Sequence, residues 1–511
     1  MNLKRFILEK LKTQKVDNWH GLLEKDEYLK IAVELLYEIE KLGGEALIVG
    51  GAIRDLLIGK IPKDVDLCTN VPMDVLEKNF HANDIGASKD FGILTIQFKE
   101  YNFEVAQYRS ENFSDSSDNR KPDSVNLEKS FEKDSDRRDI TFNALGLTKE
   151  GVIIDYQNGI EDLNNKIVRT VGDAKERFKE DALRIVRVMR FAARLGFEIE
   201  ENTKQAVIEL KDLLENVSSE RIRDELYKAS HSGESLAKFI EHLDDTGILE
   251  RFLPEVLALK NKLHFQLHHP EGAYVHKKGQ IFKNKKELEP FNIENPEHQD
   301  PEKHTVIQGD AYDHTLAAVR ASKESDPVHL LAILFHDLGK ATTHKVEGDK
   351  HSYHGHENEL YLVDNICDRL KISNKDRSAI KFAMEHHMKG HKIQELNKNK
   401  VLAIRQDPNW PYLKSTLFAD DASRGTPLFK PDEFQAKLDY IEDIFVKFGA
   451  TKEFEDRMAT LIDGKLIMKV IPTIKGKDIG IIKDAVRQWI VDNDFNVTPE
   501  DVKIKILSSQ A

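Results

Sequence analysis

The chain has 511 residues, 40% of them apolar and 32% charged, with 27 Gly and 15 Pro. At roughly 100–200 residues per domain this leaves room for about three to five domains, and the composition excludes collagen-like, low-complexity and wholly disordered chains. The formal net charge is −13, from 76 Lys+Arg against 89 Asp+Glu, which taken alone argues against a nucleic-acid partner. No apolar run approaches the roughly 18 residues of a membrane helix. The first residues, MNLKRFILEKLKTQK, keep their charges throughout and lack a signal-peptide apolar core. Two cysteines, Cys68 and Cys367, make no disulfide scaffold and fit a reducing cytoplasm.

In chain order, residues 1–43 read as a helical extension, with Leu29, Val33 and Leu36 at the 3/4 spacing of a buried stripe. Short β-rich segments follow: ALIVGG (46–51), DVDLCT (64–69), GILTIQF (92–98), FEVAQY (103–108) and GVIIDY (151–156). The polar stretch 109–136 between them reads as a mobile loop. From about 173 the pattern is mainly helical. This predicts an α+β chain: a small mixed β-sheet head (44–170), a helical neck and body (171–262), a second helical module (263–425) and a helical tail (426–511). Residues 273–309 stand apart, basic in the first part and acidic in the second, and read as an inserted surface loop.

The densest chemistry lies in IVGGAIRDLLIGKIPKDVDL (48–67). Gly50 and Gly51 allow a tight turn with close backbone approach to a phosphate. Asp64 and Asp66, two apart on the next predicted strand, point to one face and form a Mg²⁺ platform. A lone GG is usually a turn, and a lone DxD is usually solvated surface; the two joined by a helix within twenty residues are far rarer by chance. Glu104, on a later strand and facing opposite to Phe103 and Val105, offers a third carboxylate, with a solvent-facing strand residue as the alternative. In DRRDITFNAL (136–145), Arg137 and Arg138 suit a triphosphate. In EDALRIVRVMRFAARLGF (180–197), Arg184, Arg187, Arg190 and Arg194 recur every three or four residues. Asp181 and Arg184, one turn apart, present an acceptor and a donor for a base edge, or equally a structural ion pair.

GGAIRD with DVD, RRDITFNA, EDALRIVR and SSERIRDEL (218–226) together resemble the class II CCA-adding tRNA nucleotidyltransferases and the related bacterial poly(A) polymerases, over roughly residues 44–260. The resemblance implies a head, neck, body and tail, with Asp64 and Asp66 holding Mg²⁺. It implies that Gly51, Arg54 and Arg138 bind the phosphates and sugar of the incoming nucleotide, and that Asp181 and Arg184, with Arg187 alongside, pair with the base of CTP or ATP. Glu220 and Arg221 would brace that helix, and 109–122 would be the flexible loop needed for the final A. The partners implied are tRNA, CTP and ATP, with no membrane and no DNA, in the cytoplasm. CCA addition is favoured over poly(A) synthesis, because no basic poly(A)-polymerase signature follows the head.

A second constellation holds His314, His336–Asp337 in LFHDLGK, His356, His387 and Asp420. Imidazoles and carboxylates on successive helices can converge on a divalent metal, and a metal-bound water can attack a phosphoester. The set resembles the HD phosphohydrolase superfamily. The resemblance implies phosphatase or 2′,3′-cyclic phosphodiesterase activity with a second divalent metal such as Ni²⁺ or Mn²⁺. Asp421 competes with Asp420 for the last ligand. HHPEG and DAYDHTL, often contiguous in that superfamily, are separated here by residues 273–309, read first as a tolerated surface insertion, with a loop at the rim of this site as the alternative. A phosphohydrolase whose head only binds RNA is the alternative from another class. The four arginines of 181–194 against one acid, and the seven lysines of 260–286 against one, reverse the inference from net charge: the basic residues gather where RNA would lie, and the acidic excess lies elsewhere.

Overall fold

The computed structural model describes residues 12–83, 92–112, 124–266, 274–275, 281–282, 308–347, 350–423, 430–448, 452–474, 476–493 and 495–509. Most of the expected insertion 273–309, the loop beyond Asn112, and the first eleven residues lie outside these. The chain packs as two compact units, Met1–Ala229 with Lys238–Leu249, and Ser230–Ala237 with Glu250–Ala511. It is a mixed β-sheet head followed by a largely helical body. Among the described residues no helix is long and apolar enough to cross a membrane.

The first unit is built on an eight-stranded sheet. Its strands are β1 (Lys12–Lys15), β2 (Ala46–Val49), β3 (Asp66–Thr69), β4 (His81–Asn83), β5 (Ile93–Phe98), β6 (Tyr101–Gln107), β9 (Gly146–Leu147) and β10 (Val152–Asp155), in the order β1-β10-β9-β2-β3-β6-β5-β4. A separate hairpin joins β7 (Arg109–Asn112) to β8 (Ser124–Leu127). Within this eight-stranded sheet, among the described residues, only β3 and β6 pair in parallel. Helix α1 (Glu27–Glu40) covers one face, capped by the Asp26 carboxylate accepting from the Leu29 N–H at 2.7 Å. Its stripe Leu29, Leu35, Leu36 and Ile39 is buried with Ile48, Leu67, Phe103 and Val105 of the sheet. The stretch expected to be a helical extension therefore belongs to the head, and part of it is the edge strand β1, because its apolar stripe matches the exposed face of the sheet.

Helices α2 (Gly51–Leu57), α3 (Phe131–Asp136), α4 (Ala174–Glu180), α5 (Leu183–Leu195) and α6 (Ser219–Ala229) are among the others of this unit. The expected boundary at 171 does not divide the packing. Side chains of α4 and α5 bond back to the segment after α3, and residues 250–262 go with the second unit.

The second unit contains α7 (Ala311–Ala321), α8 (Pro327–Phe335), α9 (Asn374–His391), α10 (Lys398–Gln406), α11 (Trp410–Ser423), α12 (Pro431–Phe448), α13 (Lys477–Asp492) and α14 (Pro499–Ser508). Helices α7, α8, α9 and α11 pack together. A further core, including Trp410, Leu413, Ile441, Val486, Ile490, Val502 and Ile506, holds the C-terminal helices.

One buried charge ties the hairpin to the head. The Asp134 carboxylate, fully buried, accepts from Arg137 at 2.7 Å and from Arg138 at 2.9 Å, and also from the Arg109 N–H. Burial alone would raise its pKa; the Arg138 and then the Arg137 guanidinium outweigh burial and hold it below the usual carboxylate range. A depressed carboxyl contributes stability above its unfolded value and loses it as the pH falls through the folded value. Replacing Asp134 by Ala should cost about 2–3 kcal/mol at pH 7, because two half-buried guanidinium groups lose their partner. The gap to the parent should narrow below about pH 4, read by urea unfolding at each pH.

Candidate functional site

In the first unit, strand register builds the carboxylate platform. β2 is buried along its length and pairs antiparallel with β3, setting Val49 opposite Asp66. The chain then turns at Gly50 with φ +74, where a Cβ would stand 3.6 Å from Asp66 Oδ2. The turn thus passes over the carboxylate on backbone that favours glycine. Parallel pairing of Leu67 with Val105 buries both. One residue earlier on each strand, Asp66 and Glu104 share the opposite, exposed face. Asp64 precedes β3 rather than lying on it, a correction to the expectation, yet its charge still reaches Asp66. Desolvation, then Glu104, then Asp64 raise the Asp66 pKa, with Arg138 opposing.

Around these carboxylates opens a cleft of about 550 Å³ lined by Gly51, Arg54, Arg138, Asp181, Arg184 and Arg187, among others. Of the nine residues proposed from sequence for this site, Gly51, Arg54, Asp66, Glu104, Arg138, Asp181, Arg184 and Arg187 line it, and Asp64 does not. Arg54 is buried, bonded to Asp55 Oδ1 and to Asn143 Oδ1, with its guanidinium 5.6 Å over the Phe191 ring. Arg138 leans on Asp134 and the Asn143 carbonyl. Asp181 and Arg184 take different partners rather than each other's side chains. Asp181 Oδ2 accepts from Arg221 at 2.7 Å, and its Oδ1 accepts the Leu183 N–H at 3.0 Å. Arg184 donates to Glu180 at 2.7 Å and to the Arg137 carbonyl at 3.0 Å. Arg187 donates to Asp139 at 2.7 Å, and Arg190 to Glu225. Of the four spaced arginines only Arg194 is exposed, so α5 presents no solvated charge face. Arg221 does reach the helix it was expected to brace; Glu220 is exposed. The roles of Glu180, Asn143 and Glu225 carried no signal in sequence beyond lying within or beside the motifs.

In the second unit, six buried side chains form two adjoining donor sets, His314 with His336 and Asp420, and Asp337 with His356 and His387. Asp337 sits between them. Its Oδ2 faces His336 Nε2 at 3.2 Å and His314 Nε2 at 3.5 Å; its Oδ1 faces His356 Nε2 at 3.2 Å and His387 Nε2 at 3.5 Å. Three imidazoles are oriented alike. The Nδ1–H of His336 donates to the Ile333 carbonyl at 2.7 Å, that of His356 to Tyr353 at 2.8 Å and that of His387 to Met384 at 2.7 Å. A proton on Nδ1 leaves the Nε2 lone pair directed inward, as a metal ligand requires. Burial pushes His387 down to about 4 and also lowers His314, so both are neutral at pH 7. Asp420, not Asp421, joins the set: its Oδ1 lies 3.0 Å from His314 Nε2, whereas Asp421 turns to Lys437 at 3.3 Å. Gly339 of the LGK turn lies against the His356 backbone, where a Cβ would stand 2.0 Å from the His356 carbonyl oxygen. The glycine lets the HD turn and the His356 turn close together. The donor set, four imidazoles and two carboxylates, fits one or two divalent transition metals. Lys340, ion-paired with Asp337, and His391, bonded to Asp420, were not singled out from sequence.

Residues 46–169 match a family described as the poly A polymerase head domain, and residues 196–259 one described as the probable RNA and SrmB-binding site of polymerase A. The CCA-adding enzyme of Lactobacillus helveticus is 39% identical over 220 residues, 42% of this chain and 54% of that protein. The CCA-adding enzyme of Bacillus licheniformis is 37% identical over 239 residues, 47% of this chain and 59% of that protein. The chain thus spans little more than half the length of the curated relatives it matches. The fold is similar to that of the Bacillus stearothermophilus CCA-adding enzyme in complex with CTP, with a TM-score of 0.65 at 20% identity, covering 94% of this chain and 97% of that one. The Thermotoga maritima CCA-adding enzyme complexed with tRNA gives a TM-score of 0.55 at 16% identity, covering 98% and 99%.

Replacing Glu104 by Gln removes the nearest like charge from Asp66. The Asp66 pKa should fall toward the ordinary carboxylate value near 3.9. Carboxyl-carbon NMR titration of the metal-free protein would read that shift.

Proposed function

We propose, on the premise that residues 46–169 are a head of the poly A polymerase family, that this chain adds C, C and A to the 3′ end of tRNA from CTP and ATP without a nucleic-acid template. The observation that carries the reading is the single cleft that gathers Asp66 and Glu104, with Asp64 two residues before Asp66, the phosphate-seeking Arg54 and Arg138, and Asp181 and Arg184 held by Arg221 and Glu180. The CTP, ATP and tRNA complexes of proteins with this fold support it. So does the cytoplasmic setting in which two free buried cysteines are at home.

Asp64, Asp66 and Glu104 would hold Mg²⁺, which supplies activation of the attacking 3′-hydroxyl and neutralises the leaving pyrophosphate. Gly50 and Gly51 let the backbone approach the triphosphate at the start of α2. Arg54 and Arg138, already oriented by Asn143 and Asp134, place the phosphates without first having to be ordered. Asp181 and Arg184 each keep a fixed partner, so their remaining acceptor and donor positions face a base in one geometry. That is how a protein surface selects a pyrimidine or purine edge in place of a template base.

The second unit supports a second reading on the same chain: a divalent-metal phosphohydrolase acting on 3′-terminal phosphate or 2′,3′-cyclic phosphate of RNA. His314, His336 and Asp420 would hold one metal and Asp337, His356 and His387 a second, which would supply a nucleophilic hydroxide at neutral pH. Asp337 spans the two sets, and Lys340 beside it would offset the phosphate charge.

Full-length protein with tRNA ending at the discriminator base should incorporate three nucleotides from CTP and ATP, read by sequencing the labelled end. Growth beyond three with ATP alone would instead identify a poly(A) polymerase. Asp64→Ala should lower incorporation by about a hundredfold or more with an unchanged circular dichroism spectrum; full activity in that variant would overturn the assignment of the carboxylate platform, whereas a parent without incorporation would leave a head that only binds RNA. Separately, His336→Ala should abolish phosphate release from RNA bearing a 2′,3′-cyclic end while nucleotide incorporation continues. Loss of neither activity would refute the phosphohydrolase.

A further inference from the structure

Helix α9 brings one more imidazole to the metal-ligand cluster. His391 follows His387 by four residues, so both lie on one face of the helix. The two histidines differ in what they touch. His387 directs Nε2 at Asp337, whereas His391 Nε2 lies 2.6 Å from Asp420 Oδ2. The other oxygen of that carboxylate, Oδ1, lies 3.0 Å from His314 Nε2. The two oxygens of Asp420 are therefore divided: one turns inward to the donor set and the other is held from behind. On its far side His391 Nδ1 faces Asp421 Oδ1 at 3.5 Å, and Asp421 is in turn ion-paired with Lys437 at 3.3 Å.

We propose that His391 is a positioning residue for the metal half-site of His314, His336 and Asp420, fixing the Asp420 carboxylate so that Oδ1 is presented to the metal. The proposal rests on the reading of this cluster as a divalent-metal centre. Rotation of an Asp carboxylate about its last torsion is broad and nearly two-fold. Without a restraint, the two oxygens of Asp420 would exchange places or share a metal unevenly. A short charge-assisted bond from an imidazole N–H removes that freedom. The donor is itself held, because α9 fixes its backbone and Asp421 flanks its other nitrogen. His391 is not a member of either set of mutually close donors, and the oxygen it holds is the one turned away from His314. His391 Nε2 bonds Asp420, whereas its ring meets the half-site of Asp337, His356 and His387 only edge-on, 6.3 Å from the His387 ring centroid, so that half-site should change far less on its loss. Outer-shell partners of this kind are typically worth about 10–100-fold in metal affinity.

The test uses metal-stripped full-length protein titrated with Ni²⁺, which imidazole-rich sites prefer over the carboxylate platform of the head, with calorimetry and metal-induced thermal shift as readouts. The parent should bind two Ni²⁺. His391→Ala should keep one affinity and weaken the other by about 10–100-fold, while His387→Ala weakens the opposite half-site. His391→Gln, whose side-chain amide can still donate to Asp420, should recover part of the loss and guards against misfolding of the alanine variant. Parent-like binding of both ions by His391→Ala would overturn the positioning role, and so would equal losses in the Gln and Ala variants, which would make the imidazole a ligand itself. A parent that binds no Ni²⁺ would instead overturn the underlying metal-centre reading, a distinct outcome.

Discussion

The head depends on one pairing, Val49 against Asp66 in the β2–β3 ladder. Because side chains alternate along a strand, a shift of one residue would turn Asp66 into the core and Leu67 into the cleft. The contrast on β3, Asp66 exposed and Leu67 buried, opposes that shift. The same pairing sets where Gly50 turns and therefore where α2 begins. The parallel β3–β6 pairing then carries Glu104 to the side of Asp66. Three carboxylates are thereby brought together, and burial, then repulsion from Glu104 and Asp64, raises the Asp66 pKa. That repulsion is an energetic cost in the free protein, and cations or arginines in the cleft relieve it.

The arginines answer this concentration of charge in a particular way. Nearly every one in the cleft is bound to a protein carboxylate or carbonyl before any ligand arrives: Arg138 to Asp134, Arg187 to Asp139, Arg190 to Glu225, Arg221 to Asp181 and Arg184 to Glu180. Buried ion pairs of this type add little net stability, because desolvation offsets attraction. What they do supply is orientation. A guanidinium already fixed in the plane needed for a phosphate or a base loses little entropy on binding. The second unit uses the same device with different groups: backbone carbonyls three residues upstream orient three imidazoles, and His391 orients a carboxylate.

Much of this was legible in the chain because the signals are local. The GG turn, the DxD spacing, RRD, EDALR and HDLGK each lie within a few residues of one another, so backbone geometry alone brings their parts close. The net charge misled for the converse reason. It averages over 511 residues, whereas the head cleft is lined by eight arginines and four carboxylates. The helical reading of residues 1–43 failed at β1, a four-residue strand. An edge strand that short has no periodicity to detect, and its pairing with β10 is a contact across some 140 residues.

Sequence by itself determined the residue types and their order: carboxylates, arginines and imidazoles at spacings that suit nucleotidyl transfer and metal ligation, on a mixed head followed by helices. Tertiary structure alone decided which groups face each other. The Asp181/Arg184 ion pair suggested by helical spacing gave way to Arg221 and Glu180, because Asp181 lies in extended backbone between α4 and α5 rather than on the helix with Arg184. Asp420 rather than Asp421 entered the metal set, because adjacent residues on a helix diverge by about 100° and only one can face His314. His391 gained its place for the same reason, one turn after His387. Such choices rest on side-chain direction across elements distant in sequence, and only packing fixes that direction.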